Sequence, residues 1–481
     1  MCFSVRSPLT RANCTGFFLP PRPTFKAMRV SLVFLSVLTL FLGACQEKPL
    51  CCEPAPCPTC WQQYGSPFAD VPNTENIVMY EMNLWNQTPE GTLEAAEAHL
   101  DSLVDMHVNT LWLMPIFPQG EVNSVGSPYC VKDYQGVAAR YGNLQSIRDF
   151  VELAHSKGIA IILDWIANHT AWDHPWVAAH PDWYTQDANG SIVHPPGTNW
   201  QDVADLNFTS DSLRAAMISA LKYWVLEVNV DGFRFDAADM VPDDFWAQAL
   251  DSLTAIPDRK LILLAEGGKT SHYASGFHLT YGWTFYSRLK DVFVNGASAG
   301  LLASAHNQEY AGWPACTQRV RFATNHDESA WDATPFTLFG GRYAATAAHV
   351  CATFMGGIPM VYTGQEVGET GTSSFFQKDP VSWTLHPGMK QSFQDMFGVY
   401  AASEAAQTGS LKSFSHADVV CFKRSAGAEN LLVFVNTRNQ SVTMNLATEL
   451  KNSTWTDALT GATTSLGTTL TLAPYEYLLL K

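Results

Sequence analysis

Residues 159–169 read IAIILDWIANH, a long apolar run that ends in polar residues. The run is apolar up to Asp164 and lacks the polar alternation of a half-exposed strand, which is typical of a parallel strand buried on both faces. Leu144 to Gly158, just before it, has the spacing of an amphipathic helix that stops at a glycine. Asn168 and His169 follow the strand closely. Helix, buried strand and polar strand end form the repeating unit of an α/β fold.

The same unit recurs in both directions along the chain. Helical patterns are predicted at Thr92 to His107, Ser210 to Asn229 and Met389 to Ala406. Strands are predicted at Ile77–Trp85, Asn109–Ile116, Ile159–Asp164, Gly232–Asp236, Leu261–Ala265, near Trp283–Tyr286, at Val320–Thr324 and at Met360–Tyr362. Eight strands that alternate with helices predict a (β/α)8 TIM barrel.

The alternation is interrupted once and then ends. Residues 169–208 are rich in Trp, His, Pro, Gly and Asp and carry no long periodic run, so they predict a small inserted domain after strand three. The barrel then comprises residues 71–168 and 209–408. Residues 409–481 show short strands and turns with no helical pattern, which predicts a C-terminal antiparallel β-sandwich domain.

The N-terminus has the pattern of an exported protein. Val30 to Leu42 is apolar but too short for a typical membrane span, and Cys45 follows in the order Leu-Gly-Ala-Cys. Residues 1–45 therefore predict a signal peptide with a lipobox that makes Cys45 a lipidated N-terminus, with Met28 as a second candidate start. The alternative is a plain secretory signal cleaved near Ala44. We expect a surface or periplasmic lipoprotein, or otherwise a secreted protein.

Residues 46–70 are rich in Cys and Pro and predict a tether. Its Cys57 and Cys60 have the spacing of a metal or redox pair, but no second pair matches them, so local disulfides are the better interpretation.

Composition narrows the class of ligand. The net charge of −16 is unfavourable for binding nucleic acid, because phosphate contacts need clustered Lys and Arg. The sequence has 15 Trp, and exposed tryptophans offer flat surfaces on which sugar faces stack. Composition leaves the oligomeric state open.

Four predicted strands end in acids, at Asp164, Asp236, Glu266 and Asp327. Barrel active sites lie at these carboxyl ends, and converging carboxylates repel one another unless they have a function or a cation. Acetal cleavage uses such a cluster, because one carboxylate attacks the sugar and another carboxyl group protonates the leaving oxygen. Arg234 faces the same side of its strand as Asp236 and would keep that acid ionised. Burial and neighbouring acids would raise the pKa of Glu266, as an acid/base requires.

These strand ends occur in the order found in the α-amylase superfamily of retaining (β/α)8 glycosidases, close to bacterial α-amylases. The resemblance runs from about Tyr80 to the C-terminus and includes GIPMVYTGQE at 357–366, which is similar to the family's strand-eight signature. It implies that Asp236 is the nucleophile, Glu266 the general acid/base and Asp327 a stabiliser of the transition state. It also implies substrate contacts from Tyr129, His169, Arg234 and His326.

The resemblance further implies a structural calcium ion at the inserted domain. Asn168, Asp205 and Met240 are the candidate ligands, and Ca²⁺ prefers oxygen from carboxylates, amides and backbone carbonyls.

The implied activity is that of an endo-acting α-amylase that cleaves α-1,4 bonds in starch, glycogen or maltooligosaccharides. Asp239 and Met240 stand where many amylases have Lys-His in contact with the sugar on the reducing side of the cleaved bond. The replacement leaves open which sugars this chain prefers on that side. Cys130 replaces an Asp common in exo-acting relatives and favours endo action. Alternatives are a cyclomaltodextrinase or neopullulanase, a glucanotransferase, or a non-catalytic glycan-binding relative. The last is disfavoured because every acid and Arg234 are present.

Overall fold

A computed structural model describes residues 61–314 and 317–481. The predicted signal peptide, Cys45 and the Cys57–Cys60 pair lie outside these residues. Within the described ranges, Cys130, Cys351 and Cys421 are buried free thiols. No helix of the described part has both the length and the apolar character needed to span a bilayer.

Eight parallel strands close into a barrel, as predicted. Each strand pairs with the next along the chain, and the eighth pairs with the first. The barrel strands are Met79–Met82, Thr110–Leu113, Ala160–Ile166, Gly232–Asp236, Ile262–Ala265, Leu279–Tyr281, Gln318–Arg321 and Ile358–Tyr362.

The third strand shows why the sequence selects this architecture. All seven of its residues are buried, because helices cover its outer face and barrel side chains its inner face. The fourth strand begins at Gly232, where a Cβ atom would lie 1.9 Å from the Ile262 carbonyl oxygen. Only glycine allows these two strands to approach so closely there.

Helices surround the barrel. The helix Leu144–Ser156 begins at Asn143, whose side chain forms a reciprocal capping box with Ser146, and it buries Phe150 against the strands. The other α-helices are Leu84–Gln87, Leu93–Ala96, Leu100–Asp105, Pro175–Ala179, Asp211–Tyr223, Asp243–Thr254, Ser271–Ala274, Trp283–Phe293, Gly300–Tyr310, His326–Trp331, Pro335–Leu338, Arg342–Phe354, Pro387–Ala401 and Glu404–Thr408.

The prediction for the sixth strand was wrong in its position. The strand is Leu279–Tyr281, and the predicted segment Trp283 to Tyr286 is instead the first turn of a helix. Its aromatic residues favour a strand by propensity, but that helix buries Phe285 and Leu289 four residues apart on one face. Helical packing therefore outweighs local preference.

The inserted segment is closed at its base by two short antiparallel strands, His169–Ala171 and Val203–Asp205. Its interior is mostly aromatic, and Trp183 is buried between neighbouring rings. Trp200 differs, because 37% of its surface is exposed and it faces the cleft described below.

The C-terminal region forms antiparallel sheets. Strands Ser410–Ser413, Val419–Ala426, Glu429–Asn436 and Tyr477–Leu480 form one sheet, and Val442–Asn445 pairs with Thr469–Leu472 and Ser453–Thr456 with Thr463–Leu466. Alternate residues of the larger sheet point to opposite sides. Phe434 packs within the C-terminal core, whereas Val433 packs against the barrel helices.

Candidate active site

A cleft of about 1040 Å³ opens at the carboxyl ends of the barrel strands. The three acids predicted to be catalytic line it together: Asp236, Glu266 and Asp327. Tyr129, His169 and His326 also line it. The fold thus brings together side chains from five separate loops and strand ends, as a barrel rim allows.

Arg234 lies beneath this cleft and is fully buried. Its Nη1 atom donates to Asp164 Oδ1 at 2.7 Å and to Asp236 Oδ1 at 2.9 Å. Its Nη2 atom lies 2.8 Å from Glu266 Oε2, as an ion-pair contact outside hydrogen-bond geometry. One guanidinium therefore contacts three carboxyl groups: Asp164, Asp236 and Glu266.

The pKa values of these acids differ. Burial raises the pKa of Asp236 to about 6 against the opposing charge of Arg234. Burial also raises the pKa of Glu266 to about 7, and Asp236 and Asp327 add to that shift while Arg234 opposes it. Burial also raises the pKa of Asp164 to about 6. Asp164 has no exposed surface, so its carboxyl group can orient Arg234 but cannot reach a ligand. Because the groups interact, their titrations belong to the cluster as a whole.

His326 is held as a cation. Burial lowers the pKa of its imidazole, but Asp327 and Glu81 more than compensate and raise it to about 9. Nδ1 contacts the Glu81 carboxylate, and Nε2 lies 2.7 Å from the Tyr129 hydroxyl. That hydroxyl lies 3.1 Å from Asp164 Oδ2 and donates to it. A chain of hydrogen bonds thus fixes both rings beside the nucleophile.

Glu81 was missed by the sequence interpretation. It lies on the first barrel strand and is fully buried beneath His326. The available signal was an acid inside the apolar run VMYEM, in the middle of the predicted strand Ile77–Trp85.

His169 lies on the opposite wall. Asn168 Nδ2 lies 3.3 Å from its Nδ1 and donates to it, and burial lowers the pKa of the imidazole to about 4 against a hydrogen bond with the Tyr129 backbone. The His169 ring packs edge to face against Trp200 at 5.6 Å.

The candidate calcium ligands have mixed suitability. The strand that follows Asn168 pairs with the strand that ends at Asp205, and the Asn168 carbonyl accepts from Leu206 at 3.1 Å. Burial raises the pKa of Asp205, so a cation there would be favourable. Met240 can supply only its carbonyl oxygen, since a thioether is a poor ligand for a hard cation. Among the described residues no group of three His, Cys, Asp or Glu side chains could hold a metal, so carbonyls and water would have to complete the shell.

Asp239 supports the loop that carries Glu266. Its carboxylate accepts from the backbone N–H of Gly268 at 3.1 Å and lies 2.6 Å from His272 Nε2. Asp239, which follows the fourth barrel strand, therefore supports the loop after the fifth strand and does not line the cleft.

Two family models match the chain. The model described as "Alpha amylase, catalytic domain" matches residues 62–202 and 183–278, and "Maltogenic Amylase, C-terminal domain" matches residues 411–479. Both matches follow the domain order of the structure.

Individual proteins similar to this chain carry names from the same family. Alpha-amylase MalA of Haloarcula japonica is 27% identical over 66% of this chain and 47% of its own length, so the chain spans about half of that protein. Neopullulanase 2 of Thermoactinomyces vulgaris is 24% identical over 86% of this chain and 75% of its own. The crystal structure of an α-amylase from Lactobacillus plantarum superposes with a TM-score of 0.77 and 26% identity, covering 85% of this chain and 99% of the other.

A closed (β/α)8 barrel with a cluster of acids at its carboxyl rim is the architecture of a glycoside hydrolase. The chain belongs to the α-amylase superfamily.

Proposed function

We propose that this protein is an endo-acting α-amylase that hydrolyses α-1,4 bonds of starch, glycogen or maltooligosaccharides and retains the anomeric configuration. The observation that carries the proposal is the contact of Asp236 and Glu266 with one guanidinium, at 2.9 and 2.8 Å. Sharing Arg234 holds the two carboxyl groups side by side. In retaining glycosidases the two catalytic carboxyl groups are about 5–5.5 Å apart, whereas in inverting enzymes they are further apart and leave room for a water molecule between them and the sugar.

The reaction follows from the protonation states. Asp236 attacks the anomeric carbon while Glu266 gives its proton to the glycosidic oxygen, so a glycosyl ester forms as the C–O bond breaks. Glu266, now a carboxylate, takes a proton from water, and the resulting attack on the same carbon releases Asp236. Two inversions restore the α configuration.

The remaining side chains bind the reacting sugar. Asp327 accepts from its hydroxyl groups, the imidazolium of His326 places positive charge beside them, and the neutral imidazole of His169 lies on the other wall. Tyr129 supplies an aromatic face next to His326, whose ring it stacks on at 5.4 Å. Hydrogen bonds that strengthen as the ring flattens stabilise the transition state.

The cleft supports a polymeric substrate. Its volume of about 1040 Å³ is at the upper end for small-molecule sites. Position 130 is also consistent with a long substrate. Exo-acting relatives often have an Asp there, whereas this chain has Cys130, which is buried in the base of the inserted segment. Product analysis on soluble starch tests endo action, which predicts early mixed oligosaccharides, whereas exo action would release one short product from the start.

A cyclomaltodextrinase or neopullulanase is the second candidate. It is favoured by the match of residues 411–479 to a maltogenic amylase domain and by the likeness to Neopullulanase 2. A glucanotransferase would share the glycosyl-enzyme and pass it to a sugar. Parallel assays on soluble starch, pullulan and cyclodextrins separate these activities, and preferential cleavage of cyclodextrins would replace the α-amylase proposal.

Stereochemistry tests the mechanism for all of these candidates. Proton NMR of the earliest product should show the α-anomer. First appearance of the β-anomer would contradict a double displacement and exclude Asp236 as nucleophile.

We further propose a structural Ca²⁺ held by Asn168, Asp205 and backbone carbonyls, and export with a lipid anchor at Cys45. The calcium ion would stabilise the inserted wall and take no part in bond cleavage. The anchor is tested by Cys45→Ala, which should move the activity from the membrane fraction to the soluble one. Equal distribution of both proteins would contradict the anchor.

A further inference from the structure

Trp331 is exposed to an unusual degree beside the catalytic cleft. It is the last residue of the helix His326–Trp331, 71% of its surface is accessible, and it lines the same cleft as the acids. An exposed aromatic ring that continues the lining of an active-site cleft offers a flat apolar surface to a ligand bound there.

The helix determines where the ring points. Asp327 and Trp331 are four residues apart and therefore lie on one face, a single turn from each other. The start of the helix is fixed by Asn325, whose side chain accepts from the Glu328 backbone N–H at 2.9 Å. Trp331 therefore ends the same short helix that carries Asp327.

Further rings connect Trp331 to the reacting centre. Tyr129 meets Phe375 edge to face at 5.8 Å, Phe375 stacks on Phe376 at 4.5 Å, and Phe376 packs against Trp331 at 5.5 Å. We call these four residues the aromatic track. It runs along the cleft wall from the nucleophile towards solvent.

The charges of the cleft specify the ligand. Within the described residues, no Lys or Arg side chain lines it, whereas Asp327 and Glu328 lie beside the track. An anionic ligand, such as a phosphorylated sugar, would be repelled. Flat rings flanked by acceptors suit a neutral chain of sugars with apolar faces and hydroxyl edges.

We propose that Trp331, packed against Phe376, is a distal platform that binds a sugar residue of an α-glucan chain away from the cleavage point. This inference rests on the proposed function, since it takes its substrate class from it. The platform binds chains long enough to reach from Asp236 to Trp331 and contributes nothing to shorter substrates.

Substrate length tests the platform. Trp331→Ala should lower kcat/KM for maltoheptaose about tenfold through KM, because a stacking contact is lost, and leave 4-nitrophenyl α-maltoside unchanged. Trp331→Phe should recover part of the loss. The matched control is Tyr343→Ala, which removes another ring, 70% exposed, that does not line the cleft. Equal losses on both substrates, or none on maltoheptaose, would overturn the platform.

Calorimetric binding separates this inference from the proposed function. Maltoheptaose should bind Asp236→Asn about tenfold more tightly than Asp236→Asn/Trp331→Ala. If wild-type enzyme cleaves no α-glucan but this difference persists, the proposed activity fails and the platform stands. If cleavage is normal and the two variants bind alike, the platform fails alone, and Trp331 is then a candidate contact for another protein.

Discussion

The Asp236 carboxylate gives Arg234 one oxygen, Oδ1, and the other is left to react. Asp236→Asn keeps the shape of this side chain but removes the nucleophile. We expect starch hydrolysis, measured by reducing ends, to fall by at least about a thousandfold, as for other essential catalytic groups.

Asp251→Asn is the matched control, because Asp251 is exposed on the outer helix Asp243–Thr254. It should retain full activity, and circular dichroism should show both variants folded. Turnover of Asp236→Asn near the wild-type rate would rule out the proposed mechanism.

The pKa values of the two reacting acids set the pH profile. Asp236 must be ionised, so kcat/KM should fall as pH drops below its pKa of about 6. Glu266 must be protonated, so kcat/KM should fall as pH rises above its pKa of about 7. The result is a bell with a narrow maximum between these values. The two limbs report the apparent pKa values of the acid cluster, and a profile with no fall on its alkaline side would contradict acid catalysis by a carboxyl group of this cluster.

At the scale of elements, repeated patterns were predictable and short irregular ones were not. The third strand was predicted because its apolar run is long and flanked by a capped helix. The sixth strand has only three residues, Leu279–Tyr281, and too few positions to show a period. The aromatic segment next to it, Trp283–Tyr286, has the higher strand propensity and therefore carries the stronger local signal.

The residues of the candidate site also fall into a predictable group and an unpredictable one. Acids at strand ends were identified from the sequence because barrel topology makes them converge. Phe375 and Phe376 lie in a loop after the eighth strand, where no periodicity indicates a direction. Their contact with Trp331 depends on tertiary packing, and the sequence contains no sign of it.

The inserted segment should depend on calcium for stability. A chelator should lower the melting temperature and calcium should restore it, since a ligand at a hundredfold excess over its Kd contributes roughly 2.7 kcal/mol. Differential scanning fluorimetry measures this. Activity should decline slowly as the wall loosens.

Two variants make that test specific. Asp205→Asn should abolish the response to chelator, whereas Asp182→Asn, which changes an exposed acid in the same segment, should preserve it. An unchanged melting temperature with chelator in wild-type protein would remove the calcium site and leave the catalytic assignment intact.

At the scale of the whole molecule, Arg424 joins the C-terminal sheet to the barrel. It is buried, and it donates to the carbonyl oxygens of Ala405 and Ala406 at 3.1 and 3.2 Å. Arg424→Met should cost about 2–4 kcal/mol, because buried carbonyls lose their donors. Lys412→Met, on an exposed edge strand, should cost little.

Calorimetry also shows whether the domains unfold together. Because one face of the larger C-terminal sheet packs against the barrel helices through Val433, we expect one transition in wild-type protein and one, at lower temperature, in Arg424→Met. Two separate peaks in wild-type protein would mean that the interface is weak.

The charge imbalance beneath the cleft has a consequence for inhibition. Two cations stand against five carboxyl groups: Arg234 and His326 against Glu81, Asp164, Asp236, Glu266 and Asp327. A sugar mimic with a protonated nitrogen would supply the missing positive charge where the oxocarbenium ion forms. Such amines should inhibit more strongly than neutral mimics of the same shape, and their advantage should grow as pH rises from 5 to 7, since more carboxyl groups are then ionised.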